Sequence, residues 1–226
     1  MIQENIQKVR ERIAAACRRS GRSPEEVTLI AVSKFKPVSD IEAAIAAGQT
    51  VFGENRVQEL CDKYDVLPAG VIWHMIGHLQ RNKVKYLMGK AAMIHSVDTL
   101  RLAEQISEEA QKAGVIMPVL LEVNAAKEET KFGFFPEEVK EAAIKISQLP
   151  GIRVKGLMTI APFVEDSEDN RKYFKKLHEL RVDIQRENID NIDMTELSMG
   201  MTGDYEVAVE EGATMVRVGT GIFGSR

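Results

Sequence analysis

The strongest constraint on the fold is an alternation that runs the whole length of the chain. Eight short apolar segments, 28–34, 51–53, 71–76, 92–96, 115–123, 152–158, 196–198 and 214–218, read as strands. Helical patterns separate them, over 39–48, from about Arg56, over 80–88, over 98–113, from Pro136, up to about Asn188 and over 203–211. Ser39-Asp40 and Asp98 are the expected caps of two of these helices. Strand–helix alternation implies right-handed βαβ units and a parallel sheet, and eight units predict a (β/α)8 TIM barrel. An extra amphipathic helix, Ile2–Arg19, precedes the first strand and carries Ile2, Ile6, Val9 and Ile13 on one face. No helix is expected after the eighth strand, and the N-terminal helix is predicted to fill that gap in the outer ring. An open doubly wound sheet is the alternative architecture. No linker or composition shift divides residues 1–226, so one barrel unit is expected.

With 44% hydrophobic and 28% charged residues the chain has enough apolar material for a sizeable core. Its net charge of −4 argues against broad binding to nucleic acid or to an anionic membrane, though not against a local basic pocket. Cys17 and Cys61 have neither CxxC nor zinc spacing, which points to a reducing cytoplasm and no disulfide framework. The polar N-terminus does not resemble a signal peptide, and no apolar run has transmembrane length.

Lys34 ends the first apolar segment, Thr28-Leu-Ile-Ala-Val-Ser-Lys34, just before Pro37. A lysine there either snorkels into water or acts as an amine nucleophile towards a carbonyl. In barrel enzymes the site lies at the carboxyl ends of the strands, and phosphate often sits after strands seven and eight. Those loops here are Ser198-Met199-Gly200-Met201-Thr202 and Gly219-Thr220-Gly221, which pair hydroxyl residues with glycines that let backbone N–H groups approach an anion. Two ordinary glycine turns are the plain alternative. Gly219 to Gly224 also spells GxGxxG, but with the chain ending at Arg226 there is no following βα unit for a dinucleotide. Arg217 lies inside the eighth strand; either it pairs with a core acid such as Glu122 or Glu196, or it faces an acceptor atom of a bound ring. His74 and His78 have HxxxH spacing but straddle a strand end, so no metal site is expected. His95 ends the fourth strand and lines the same mouth, while Met88, Met93, Met158, Met199 and Met201 read as packing. A lysine and an anion grip at one mouth fit two ligands: a sugar phosphate held as a Schiff base, or pyridoxal phosphate held as an internal aldimine.

Six stretches carry a resemblance: 31–37 (AVSKFKP), 52–55 (FGEN), 73–80 (WHMIGHLQ), 156–158 (GLM), 197–201 (LSMGM) and 215–220 (MVRVGT). In this order, over nearly the whole chain, they resemble the YggS/PROSC family of pyridoxal phosphate homeostasis proteins. The resemblance implies a barrel of the alanine racemase type with covalently bound pyridoxal 5'-phosphate. It implies Lys34 as the aldimine lysine and Ser198, Gly200, Gly219 and Thr220 as phosphate contacts. Arg217 would face the pyridine nitrogen, Asn55, His74 and Met158 would line the ring pocket, and Lys36 would be a second, transient carrier.

An arginine against the ring nitrogen limits activity, because it gives up no proton and leaves that nitrogen a poor electron sink. Racemases of this type also need a second base, a tyrosine that the family comparison places on another domain, for which the chain has no room. Tyr64, Tyr86, Tyr173 and Tyr205 lie outside the mouth motifs. The expectation is therefore a non-catalytic, cytoplasmic, monomeric carrier of pyridoxal phosphate, with apo forms of cofactor-dependent enzymes as its partners. A racemase- or transaminase-like enzyme and a Schiff-base aldolase are the alternatives.

Overall fold

The computed structural model describes residues 1–224. Its eight strands are β1 Thr28–Val32, β2 Val51–Glu54, β3 Ile72–Met75, β4 Ala91–Val97, β5 Met117–Glu122, β6 Ile152–Met158, β7 Ile192–Met201 and β8 Met215–Val218. They close in sequence order into a barrel, each pair parallel, with Ile30 of β1 beside Arg217 of β8. The helices are α1 Ile2–Arg19, α2 Val38–Ala46, α3 Val57–Val66, α4 Leu100–Ala113, α5 Val139–Ser147, α6 Arg171–Arg186, α7 Tyr205–Glu210 and α8 Thr220–Phe223.

Two apolar layers hold the barrel. Ile30, Met93, Leu120, Met158 and Met215 fill its interior. The larger layer joins the outer strand faces to the helices, with Phe52, Trp73, Ile106, Phe174 and Leu177 fully or almost fully buried. The α1 stripe Ile6, Val9 and Ile13 is buried as the spacing predicts, together with Ala16 and Cys17. Helix α1 packs against α2, α7 and α8, so it occupies the gap in the outer ring.

Five local expectations are corrected. A short helix, α8, does follow β8, and Asn5 of α1 donates to the Ile222 carbonyl at its end (2.8 Å). The segment 81–87 is a 3-10 helix rather than an α-helix, since its buried side chains Val84 and Leu87 recur at three, the 3-10 repeat. Thr99, not Asp98, caps α4, its hydroxyl accepting the Leu102 N–H, while the Asp98 carboxylate faces His78. Helix α2 starts at Val38 with no side-chain cap from Ser39 or Asp40. Strand β7 is far longer than its apolar run, because Asp193 is tied to Arg153 and Lys155 of β6, and these ion pairs hide the strand pattern.

Candidate functional site at the barrel mouth

Parallel strands bring all eight carboxyl ends to one mouth. Strand β1 stops at Val32, two residues before the expected end, so Lys34 sits in the turn that follows. The turn is shaped by Phe35, whose φ of 61° lies in the left-handed region. Lys34 is half-buried, and its amine has no partner among the described residues. The amine of Lys36 is engaged instead, donating to the Phe223 and Gly224 carbonyls (3.2 and 3.4 Å) and so stapling the end of α8 to the β1 turn. That contact does not suit a second carrier, since the amine must first be released.

A buried polar chain crosses the barrel below the mouth. His74 Nδ1 lies 2.9 Å from His95 Nε2, and His95 Nδ1 lies 2.9 Å from Ser198 Oγ. Arg217 donates to Ser198 Oγ (2.5 Å) and to the Thr159 carbonyl (2.8 Å). Burial lowers His74 to about 4 and takes His95 well below its ordinary value, helped by His74 and Arg217, so both imidazoles are neutral. Burial also lowers Arg217 to about 10, which leaves it charged at neutral pH. Arginine only donates, and the Ser198 hydroxyl has one proton. The arrangement that strands no hydroxyl proton therefore runs one way, from Ser198 to His95 Nδ1 and from His95 Nε2–H to His74 Nδ1. It leaves the His74 proton on Nε2.

Arg217 makes no ion pair with either expected acid among the described residues. Glu196 lies nearer the opposite end of the barrel, where it accepts from the Thr214 hydroxyl (2.6 Å). Glu122 acts on Arg217 only through its field. Ser198 is fully buried, with its hydroxyl committed to Arg217 and His95, so it sits beneath the loop expected to grip phosphate. Gly200 serves the fold. It has φ +90°, and a Cβ there would meet Ala208 Cβ at 2.6 Å and Tyr205 Cα at 2.8 Å.

The two loops nevertheless meet. The Gly221 N–H donates to the Thr202 hydroxyl (3.3 Å), Thr220 is exposed, and Gly219 lies against Val32 of β1, just before the lysine turn. Thr202, part of the expected anion loop but not among the phosphate contacts that the resemblance implies, is thus the hydroxyl that pairs the β7 and β8 loops. Met158 is fully buried in the barrel interior. Asn55 is half-buried, with no side-chain partner among the described residues, and its backbone packs against Gly77, where a Cβ would come within 2.4 Å of the Asn55 carbonyl oxygen. The methionines read as packing are buried or half-buried, except Met201, which is exposed at the rim.

Glu122 is the mouth residue whose role sequence reasoning missed; it had appeared only as a partner for Arg217. Burial, with Asp98 adding repulsion, raises it from 4.5 to about 7, against the pull of Arg217 and Lys131. The folded state thus keeps a proton that the unfolded chain releases above pH 4.5, and stability falls as pH rises from there to about 7. Glu122→Gln cannot ionise, and we expect it to raise stability at pH 8 by up to about 3 kcal/mol and to change little at pH 4. Thermal melts at the two pH values check this; an equal gain at both would show that ionisation is not the cause.

The closed eight-stranded parallel barrel, with Lys34, the buried Arg217 and the Gly219–Thr220 turn at one mouth, defines a barrel protein of the alanine racemase type. The profile of the alanine racemase N-terminal domain family matches residues 2–226. A pyridoxal phosphate homeostasis protein of Aquifex aeolicus (strain VF5) is 49% identical over 224 residues, covering 99% of this chain and 97% of the relative. A crystal structure of a protein from Bifidobacterium adolescentis has a TM-score of 0.93 at 41% identity, covering 98% of this chain and 94% of that one. PipY of Synechococcus elongatus PCC7942, solved with PLP bound, has a TM-score of 0.84 at 36% identity, covering 99% of this chain and all of that one. The chain belongs to the alanine racemase N-terminal domain family, among the pyridoxal phosphate homeostasis proteins. No helix among the described residues is long and apolar enough to cross a membrane.

Proposed function

We propose that this chain binds pyridoxal 5'-phosphate at the barrel mouth, covalently through Lys34, and stores or delivers it within the cell without efficient catalysis, as one barrel unit over residues 1–226. The observation that carries the reading is the contrast between amines: Lys34 has no partner among the described residues, whereas Lys36 is spent on two carbonyls. The name of the Aquifex relative and the PLP in PipY support the same cofactor.

The residues present fit that group. Gly219 and Thr220 offer backbone N–H groups, and Thr220 and Thr202 hydroxyls, for the phosphate, while the Gly221 N–H donates to the Thr202 hydroxyl and ties the two loops together. Gly200 and Ser198, carried over as phosphate contacts, act from below: Gly200 lets α7 approach, and Ser198 orients Arg217. Arg217 offers its remaining N–H groups to the ring nitrogen, His74 and Asn55 border the ring, and Met158 forms the floor. When bound, pyridoxal phosphate supplies an aldehyde and an electron-accepting ring. Arg217, charged at neutral pH, would donate to the ring nitrogen and keep it unprotonated, which would weaken the sink that α-proton removal needs. Tyr205, whose buried hydroxyl has no partner among the described residues, lies by Arg12 of α1 on the outside of the barrel, and Tyr64 and Tyr86 are exposed. None of them is placed as an opposing acid.

The test incubates loaded protein with L-alanine, follows the D-enantiomer, and assays cofactor transfer to an apoenzyme in parallel. We expect transfer with little racemisation. Turnover on the order of 1 s⁻¹, ordinary for an enzyme, would overturn the carrier reading, and so would failure to transfer.

A further inference from the structure

The turn that presents Lys34 is held from behind by a second, buried lysine. Lys63 of α3 is 6% exposed, a rare environment for an ammonium unless it is fully paired. Its three protons have three acceptors, each at 2.7 Å: the Ser33 carbonyl, Glu54 Oε1 and Glu59 Oε1. The same two carboxylate oxygens also take donors from the turn. The Ser33 hydroxyl donates to Glu54 Oε1 and the Phe35 N–H to Glu59 Oε1, both at 2.5 Å. Ser33 and Phe35 are the two neighbours of Lys34, so one cation ties down the backbone on both sides of it.

This arrangement is costly for a mere packing device. A buried ion cluster stabilises little compared with apolar residues of similar size. Glu54 is wholly buried, and its second oxygen has no partner among the described residues. A non-glycine residue at the Phe35 φ of 61° is strained and persists only where its surroundings enforce it. Here the Glu59 carboxylate takes the N–H of that strained residue.

We infer that Lys63, Glu54 and Glu59 are positioning residues that fix the Ser33–Phe35 turn so that the Lys34 amine meets the aldehyde in an attacking geometry. The inference rests on Lys34 being the attachment lysine. In that step the neutral Lys34 amine adds through its lone pair to the aldehyde carbon, its two N–H protons pass to the aldehyde oxygen, which leaves as water, and a C=N bond replaces the C=O bond. A fixed Cα for residue 34 matters because such additions need the reacting atoms about 3–3.5 Å apart.

The test compares Glu59→Ala, Glu59→Gln and Lys63→Met with the unaltered chain. Glu59 is the mildest place to cut, since its side chain is 19% exposed and its loss leaves the Lys63–Glu54 contact in place. Borohydride trapping at timed intervals, with mapping of the labelled peptide, reads covalent attachment. Equilibrium binding of pyridoxamine 5'-phosphate reads the rest of the site, because that compound has the ring and phosphate but an amine where the aldehyde would be. Glu59→Ala is expected to slow trapping at Lys34 by about 10-fold or more while binding pyridoxamine phosphate as the unaltered chain does. Glu59→Gln, which keeps an acceptor oxygen, recovers most of the rate. Lys63→Met loses more and also melts earlier. Trapping at the original rate in Glu59→Ala overturns the positioning role, and so does an equal loss for both ligands. Label on a lysine other than Lys34 in the unaltered chain overturns the attachment reading itself, so the two failures are distinct.

Discussion

Lys34→Ala is expected to abolish borohydride-stable attachment of pyridoxal phosphate, while Lys36→Ala retains it. The expectation follows from what each nearby amine is doing. An amine must be free of other partners and able to reach the carbonyl before it can add to it. Lys63 gives all three protons to buried acceptors, and Lys36 gives its amine to the carbonyls that end α8. Lys34 has no such commitment among the described residues and stands between strand β1 and the Gly219 turn. Removing it leaves only non-covalent contacts from the phosphate loops and Arg217. The visible absorption of the linked cofactor should disappear and the labelled peptide with it. Undiminished label in Lys34→Ala would refute the assignment. Lys36→Ala should instead lower the melting temperature modestly, because it cuts the staple between α8 and the β1 turn.

Removing the phosphate from the ligand should cost nearly as much. Pyridoxal is expected to bind about 10²–10⁴-fold more weakly than pyridoxal phosphate, since two charge-assisted hydrogen bonds are worth about 3–6 kcal/mol together. In the proposed site the donors are where the β7 and β8 loops touch: the Thr202 hydroxyl, which also accepts from Gly221, and the turn Gly219-Thr220. Their geometry is fixed from outside by Gly200 against α7 and by Lys36 on the end of α8. Titrating both compounds into the same protein and following absorbance gives the ratio directly. Similar affinities would mean that these loops hold something other than the phosphate.

These two expectations differ in how much of them the sequence alone contained. The barrel is written in local pattern. Strand and helix periods depend on neighbours a few residues apart, and eight parallel units leave one mouth at which β1, β7 and β8 must meet. That pattern alone puts Lys34, Arg217 and the glycine loops at one mouth, and six motifs tie them to one family. The errors were also local. A lone hydroxyl such as Thr99 can displace an acid as a cap, and ion pairs at Asp193 conceal half of a strand.

What the tertiary structure alone decided is which polar group answers which. Arg217 could have met Glu122 or Glu196; it meets the Ser198 hydroxyl of β7 and the Thr159 carbonyl just past β6, acceptors that reach it across the barrel interior only once the strands have closed. The Ser198 hydroxyl meets Arg217 and His95, Gly200 lets α7 approach, and the Thr202 hydroxyl joins the β7 and β8 loops. Lys63 lies four residues from Glu59 on α3, the spacing of a helix-surface ion pair, yet the fold buries it beneath the Lys34 turn. The reason is one of range. Apolar periodicity is a property of each segment, whereas a hydrogen bond between strands far apart in sequence exists only once the barrel has closed and set their register.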